Sequence, residues 1–154
     1  MSPHSDTLPR PVHLVGLRMV REKRLGYASP IIHSNDVVDL IKRLFKNSYR
    51  EMVVVIGLDN QNRPSVVHTV ALGSPDQAPV MASSVFKPLL LSNSSGFILV
   101  HNHPGGRLNA SQPDRDMTER LKKLGEQLEI KLIDHIILNA DGSGFYSFKT
   151  QGAM

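Results

Sequence analysis

The sequence of 154 residues contains no cysteine. Without cysteine there can be no disulfide framework, no thiolate zinc site and no cysteine nucleophile, and this composition fits the reducing environment of the cytosol. Any metal ion bound by this chain must therefore be held by histidine, carboxylate or water.

Long apolar runs are also missing from the sequence. No stretch approaches the ~20 consecutive apolar residues that a membrane-spanning helix needs, and the N-terminus lacks the apolar core of a signal peptide. These absences predict a cytoplasmic protein with no membrane segment. The chain length predicts one compact domain with its own hydrophobic core.

The positive charge of the chain is concentrated at its beginning. The formal net charge is +4, and the first 24 residues carry five basic side chains against two acidic ones. Because residues 1–28 are also proline-rich at the start and aperiodic, we predict a basic N-terminal arm over 1–28, a domain over 29–150 and a tail over 151–154. A basic arm can contact nucleic-acid phosphates weakly, although a solvated arm that only aids solubility is the commoner case.

Eight segments of regular structure are predicted after the arm, in the order α β β α β α β β. The helices are expected in HSNDVVDLIKRLFKNS, SSVFKPLLLSNS and QPDRDMTERLKKLGEQLE, and the strands in EMVVVIGLD, PSVVHTVALG, GFILVHNH, IKLIDHIIL and GFYSF. Ser34 or Asn35 should cap the first helix. Ser83 or Ser84 should cap the second, which Pro88 is expected to distort beyond its first turn. This order implies an α/β fold with a mixed sheet flanked by helices.

The stretch HNHPGGRLNASQPD, at the end of the third predicted strand, has the features of a metal site. His101 and His103 are two residues apart on a strand, so both imidazoles project from one face and can converge. The Pro-Gly-Gly turn at 104–106 can bring Asp114, at the start of the next helix, back towards them. Two imidazoles and one carboxylate leave a fourth tetrahedral position open for water, which is typical of catalytic zinc and indicates hydrolysis.

Each of these residues also has a simpler interpretation. An isolated His-x-His pair at a strand end often only hydrogen-bonds to a loop. Ser111 and Asp114 match a capping box, with Ser111 as N-cap and Asp114 favoured by the helix dipole. Glu51, which opens the first predicted strand, would on its own more often be an edge charge. Taken one at a time, the residues leave both interpretations open.

The residues taken together resemble the signature of the JAMM (JAB1/MPN+) metalloproteases. The resemblance is carried by Glu51, by His101-x-His103 followed by proline, and, after seven intervening residues, by Ser111-x-x-Asp114. The stretches REMVVVIGLD, FILVHNHPGG and LIDHIIL are similar to bacterial RadC-like JAB domains, over roughly residues 30–150. The resemblance implies a three-layer α/β/α architecture with a mixed sheet, the cytidine-deaminase-like JAB1/MPN fold.

The same resemblance implies a zinc-dependent peptidase or isopeptidase that cleaves an amide bond in a protein or peptide substrate. Zn²⁺ would be held by His101, His103 and Asp114, where it would activate a water molecule. Glu51 would take the proton of that water and pass it to the leaving amine. Ser111 would hydrogen-bond the developing oxyanion.

Some positions depart from the RadC-like pattern. Gly105 stands where these proteins usually carry a serine, and residues 107–110 replace an Asp-Pro-Thr-Pro-like linker. Arg107 reverses the local charge, so the fit of a substrate around this loop is expected to differ. Many RadC-like proteins carry a helix-hairpin-helix region before the JAB domain, and 28 residues are too few for one. The expectation is therefore a stand-alone form.

Two functions other than hydrolysis stay open. A non-catalytic MPN-type interaction module would usually lack the ligands that this chain carries, whereas a DNA-associated, repair-type RadC-like protein could act through the basic arm. Deaminases, a rival zinc class, need cysteines that this chain does not have.

Other polar residues of the predicted strands are not assigned as ligands. Asp134 and His135 should alternate across a late strand, which favours a structural or supporting role near the site over direct ligation. The remaining histidines have no convergent partner and are interpreted as ordinary surface or strand residues: His4, His13, His33 and His68.

Overall fold

A five-stranded mixed sheet forms the centre of the computed structural model, which describes residues 12–27, 29–46, 48–73 and 80–154. The elements in chain order are α1 (Ser34–Phe45), β1 (Met52–Leu58), β2 (Pro64–Leu72), α2 (Ala82–Leu91), β3 (Gly96–His103), α3 (Gln112–Gln127), β4 (Lys131–Asn139) and β5 (Phe145–Ser147). The predicted order of helices and strands is confirmed.

The strands lie in the order β2-β1-β3-β4-β5. β1 pairs antiparallel with both β2 and β3, β3 and β4 are parallel, and β4 and β5 are antiparallel. Because parallel strands need a crossover connection, α3 leaves the end of β3 and returns along one face of the sheet to the start of β4. The sheet therefore places the first turn of α3 beside the end of β3.

Alternate residues of β1 and β3 point to opposite faces of the sheet and build two cores. Even-numbered side chains such as Val54 and Val100 pack with α1, whereas odd-numbered ones such as Val55 and Leu99 pack with α2 and α3. The result is the predicted three-layer α/β/α arrangement. Because His101 and His103 are odd-numbered, both belong to the face that α3 covers.

The predicted caps of α1 are wrong. The helix begins at Ser34, and His33 occupies the N-cap position. Asp36 Oδ2 accepts the backbone N–H groups of Ile32 at 2.9 Å and His33 at 2.8 Å. The carboxylate in the first turn binds these donors, so a serine or asparagine cap at 34 or 35 is not needed.

α2 runs through Pro88, contrary to the expectation that this proline would distort the helix beyond its first turn. Met81, rather than Ser83 or Ser84, occupies the N-cap position. Proline removes one backbone donor, but the burial of one helix face against the sheet keeps the chain helical on both sides of it. The fully or nearly buried side chains of this face are Val85, Phe86 and Leu89.

Residues 12–27, the described part of the predicted arm, form no helix or strand. Their side chains are exposed as far as Arg24, whereas Leu25 and Tyr27 pack against the core on the α1 side. Residues 1–11, which include His4, and residue 28 lie outside the described residues. Within the described ranges, no helix has both the length and the apolar character that crossing a membrane would require.

Candidate metal centre

The two histidines at the end of β3 converge as their spacing predicts. The Nε2 atoms of His101 and His103 lie 3.0 Å apart. The His101 side chain is fully buried, while 17% of the His103 side chain is exposed. One imidazole therefore belongs to the core, and the other borders the solvent.

The loop after β3 orients the ring of His103. Gly106 has a φ of +78°, and its N–H donates to the carbonyl of His103 at 2.9 Å. This left-handed conformation favours glycine and turns the chain so that the Arg107 carbonyl lies 2.7 Å from His103 Nδ1. A carbonyl can only accept, so Nδ1 of a neutral His103 carries the proton and Nε2 faces His101.

Asp114 acts as a helix cap and also contacts both histidines. Its Oδ2 accepts the backbone N–H of Ser111 at 2.7 Å and the Ser111 hydroxyl at 2.6 Å. Its Oδ1 lies 3.1 Å from His101 Nε2, and Oδ2 lies 3.5 Å from His103 Nε2. The predicted capping box at Ser111 is present. The capping and metal-site interpretations are therefore compatible, because the carboxylate has one oxygen for each.

Glu51 enters the same cluster from the residue before β1. In the antiparallel pair β1–β3, Val53 lies opposite His101, which places Glu51 near the histidine end of β3. A carboxylate oxygen of Glu51 and ring nitrogens of His101 and His103 all lie within 4.8 Å of one another, a spacing compatible with a shared ion. The Asp114 carboxylate oxygens lie closer than 4.8 Å to the Nε2 atoms of both rings, at 3.1 Å from His101 and 3.5 Å from His103.

Asn102, between the two histidines, was not singled out in the sequence. It points to the other face of β3, where its Oδ1 accepts the Met52 N–H at 2.7 Å and its Nδ2 donates to the Arg50 carbonyl at 3.2 Å. These bonds hold the backbone on both sides of Glu51. The middle residue of a His-x-His pair on a central strand is the only sequence signal for this role.

His135 lies directly behind His101. Its Nε2 is 2.8 Å from His101 Nδ1, and its Nδ1 is 2.6 Å from the Thr118 hydroxyl. Asp134 points to the opposite face, where it accepts the Ser147 hydroxyl at 2.6 Å and the Lys149 N–H at 3.0 Å. The predicted alternation is confirmed: one residue supports the cluster, and the other ties β4 to the end of the chain.

The ionisable groups of the cluster shift one another's pKa values. The hydrogen bond to Asp114 raises the pKa of His103 above its ordinary value. Burial lowers the pKa of His101 and, more strongly, that of His135. Burial also raises the pKa of Asp114, but its close contacts with the His101 and His103 rings, together with the hydrogen bond from Ser111, outweigh this and hold that pKa far below its usual range. In metal-free protein, His103 is therefore the ring that most readily holds a proton.

The cluster opens into a surface cleft. Its walls are formed by residues of the cluster and of the glycine-rich loop: Glu51, His103, Pro104, Gly105, Arg107 and Ser111. Ser111 is exposed, and its hydroxyl proton is directed at Asp114 Oδ2. The Arg107 side chain, which distinguishes this loop from the RadC-like pattern, is exposed at the rim.

The donor atoms of the cluster fit a zinc ion. His101 and His103 both engage Nδ1 in other hydrogen bonds, so the Nε2 atoms of both rings and the Asp114 carboxylate face one another. When both rings are neutral and protonated on Nδ1, all of these atoms are acceptors. Such a group of acceptors is repulsive unless a proton or a metal ion lies among them. Two imidazoles and a carboxylate with an open side are the ligands of catalytic zinc.

Comparison with known proteins agrees with this architecture. Residues 31–153 match the model of the RadC-like JAB domain. An UPF0758 protein of Histophilus somni is 36% identical over 131 residues, which cover 84% of this chain and 58% of that protein. An UPF0758 protein of Thermotoga maritima is 39% identical over 105 residues, covering 68% and 46%. One of Chloroflexus aurantiacus is 35% identical over 135 residues, covering 86% and 56%.

The chain belongs to the RadC-like JAB domain family, and through it to the JAMM superfamily. It spans about half the length of the curated relatives that it matches. The family match includes every residue of the cluster, from Glu51 to His135.

Proposed function

We propose that the protein is a JAMM-type zinc metallohydrolase that cleaves an amide bond in a peptide or protein. The observation that carries this proposal is the convergence of His101 Nε2, His103 Nε2 and the Asp114 carboxylate beside Glu51, at the base of an open cleft. A purely structural cluster would not need three acceptors directed at one point.

In this proposal His101, His103 and Asp114 hold the ion. When bound, Zn²⁺ supplies Lewis-acid activation of water and of the scissile carbonyl. The buried side of the cluster excludes solvent behind His101, whereas the partly exposed His103 leaves an approach from the cleft.

Glu51 and Ser111 act in this proposal as groups that handle protons and charge. The Glu51 carboxylate, close to both imidazoles, accepts a proton from water and delivers it to the leaving amine. The Ser111 hydroxyl, exposed at the cleft, must turn from Asp114 Oδ2 to donate to an oxyanion. The backbone N–H of Ser111 still holds Asp114 when the hydroxyl turns away.

The experiment combines metal analysis with a Glu51→Gln variant. We expect parent and variant each to bind about one Zn²⁺ per chain. Only the parent should cleave a library of internally quenched peptides that includes isopeptide-linked members, because the amide cannot accept a proton. Loss of zinc in Glu51→Gln would make Glu51 a ligand, and equal cleavage by both proteins would remove it from the mechanism. A parent that binds no zinc would instead favour an interaction module.

A second candidate, DNA association, is favoured by one observation on the arm. The basic side chains of residues 18–24 are exposed and lie outside any helix or strand. We expect such a segment to give weak, salt-dependent binding of duplex DNA that disappears when residues 1–28 are deleted. Binding that survives this deletion would contradict a role for the arm.

A further inference from the structure

A chain of three buried hydrogen bonds runs behind His101 and returns to Asp114. His101 Nδ1 lies 2.8 Å from His135 Nε2, and His135 Nδ1 lies 2.6 Å from the Thr118 hydroxyl. That hydroxyl donates to the backbone carbonyl of Asp114 at 2.6 Å. His101, His135 and Thr118 are all at most 2% exposed. The hydrogen bonds therefore join protein groups directly, away from solvent.

The donor and acceptor of each hydrogen bond can be worked out from the Asp114 carbonyl, at which the chain ends. The Asp114 carbonyl can only accept, so the single proton of Thr118 points to it. The Thr118 oxygen must then accept from His135 Nδ1, which leaves the Nε2 of a neutral His135 without a proton. His101 Nδ1 must donate to that nitrogen, and the lone pair of His101 Nε2 is left facing the cluster.

The fold holds this chain rigidly. Leu99 on β3 lies beside His135 on β4, so His135 falls one pleat behind His101 on the same face. Its ring stacks on Phe148 with a centroid separation of 4.6 Å and an angle of 8°. Thr118 lies one helical turn after Asp114, which brings its hydroxyl to the carbonyl of that residue.

We propose that His135 and Thr118 are positioning residues that fix His101 as the tautomer protonated on Nδ1 and so present its Nε2 lone pair to the metal ion. The inference rests on the metal site of the proposed function. The tautomer of the ligand His101 then depends on the backbone position of the ligand Asp114, because the hydrogen bonds that begin at His101 end on the Asp114 carbonyl. His103 is independent of it, since a backbone carbonyl orients that ring.

A pair of variants at Thr118 tests this proposal. Thr118→Val resembles threonine in shape but has no oxygen to accept from His135 Nδ1. His135 is then expected to carry its proton on Nε2 and donate to His101, which moves the His101 proton to its own Nε2. Thr118→Ser keeps the hydroxyl and is the matched control.

Two readouts are needed, and the first requires no metal. In metal-free protein at mildly alkaline pH, two-bond ¹H–¹⁵N correlation spectra should show His101 protonated on Nδ1 in the parent and in Thr118→Ser, but on Nε2 in Thr118→Val. The tautomer of His103 should be the same in all three proteins. In Zn²⁺ titrations against a chromophoric chelator, Thr118→Val should bind at least about 10-fold more weakly than the parent, and Thr118→Ser should stay close to it.

Several results would overturn the proposal. One is a metal-free parent with His101 protonated on Nε2, a measurement that requires no variant to fold. Another is a folded Thr118→Val protein with either the parent tautomer or the parent affinity. If Thr118→Val does not fold, the variants His135→Gln and His135→Phe replace it. The glutamine oxygen can accept from His101 Nδ1, so only His135→Phe should bind zinc more weakly. Equal zinc affinities of the two variants would contradict the role of His135. A parent that binds zinc but cleaves nothing would remove the hydrolase proposal and leave this one intact.

Discussion

The Asp114 carboxylate and Ser111 hold each other at the start of α3 through reciprocal hydrogen bonds. Asp114 Oδ2 accepts the Ser111 N–H at 2.7 Å, and the Asp114 N–H donates to the Ser111 hydroxyl at 3.2 Å. This capping box leaves Oδ1 of the same carboxylate 3.1 Å from His101 Nε2. The cap therefore pre-orients a metal ligand.

Asp114→Asn should separate stability from metal binding. The asparagine oxygen can still accept from Ser111, and its amide can donate to the His101 Nε2 lone pair, so above the raised pKa of His103 the metal-free melting temperature should stay near that of the parent. Zinc affinity should fall sharply, because a neutral ligand replaces an anion. Thermal melts and zinc titrations on the same samples check both points. Zinc binding as tight as in the parent would mean that Asp114 is a cap alone.

Substitutions at Ser111 should separate capping from chemistry. Ser111→Ala removes a good N-cap and should cost about 0.5–2 kcal/mol of unfolding free energy, whereas Ser111→Gly should cost only a few tenths. Both variants lack the hydroxyl, so both should lose on the order of 10² in hydrolytic rate while keeping zinc. Denaturant unfolding and rate measurements on the pair decide the point. If the hydrolytic rate of Ser111→Gly were close to that of the parent and only Ser111→Ala were slow, the rate would follow the unfolding free energy, and the hydroxyl would act in capping alone.

The pH dependence of stability should change sign when zinc binds. The folded-state pKa of His103 is raised above the ordinary 6.5, so in metal-free protein its contribution to stability is complete below 6.5 and is lost as pH rises through the raised value. His101 and His135 have lowered pKa values, so their contributions are already complete above 6.5. With zinc bound, protons compete with the metal for His103, and stability should instead increase with pH.

Melting temperatures measured from pH 6.5 upward, with and without zinc, test this sign change. The control is His103→Gln, which should lack the decline seen in metal-free parent protein. The same slope in the presence and absence of zinc would contradict ligation by His103.

Asn102→Ala should impair the site from the opposite face of β3. The substitution leaves the Met52 N–H without its buried acceptor, which should cost about 1–3 kcal/mol of unfolding free energy. It also releases the backbone on both sides of Glu51, so the hydrolytic rate should fall while zinc affinity, which depends on the other face, stays near that of the parent. Unfolding, zinc titration and rate assays distinguish these effects. Loss of zinc in proportion to rate would contradict a role through Glu51.

Sequence periodicity was sufficient to predict those parts of the site whose residues lie close together in the sequence. Strand alternation predicts that His101 and His103 share a face, and the Ser-x-x-Asp spacing predicts the cap at Ser111. The helix through Pro88 was not predictable in this way, because burial of one face against the sheet outweighs the lost backbone donor.

The supporting role of His135 was expected, but the particular contacts of the supporting residues were out of reach for a different reason. Asn102 bonds to the backbone 50 residues earlier, and His135 bonds to His101 across 34 residues. Such contacts depend on strand order and register, which no local pattern contains. Thr118 had no signal beyond its position one turn after Asp114. Its hydroxyl matters only because β4 brings His135 to it.

The most direct test of the account is the location of zinc in crystals of the parent protein. Anomalous diffraction collected on both sides of the zinc absorption edge identifies the element and its position together. We expect one zinc peak per chain, bonded to His101 Nε2, His103 Nε2 and the Asp114 carboxylate, with Glu51 adjacent but not bonded. Crystals grown with added zinc and without chelator that show no peak at these three side chains, or a peak elsewhere, would contradict it.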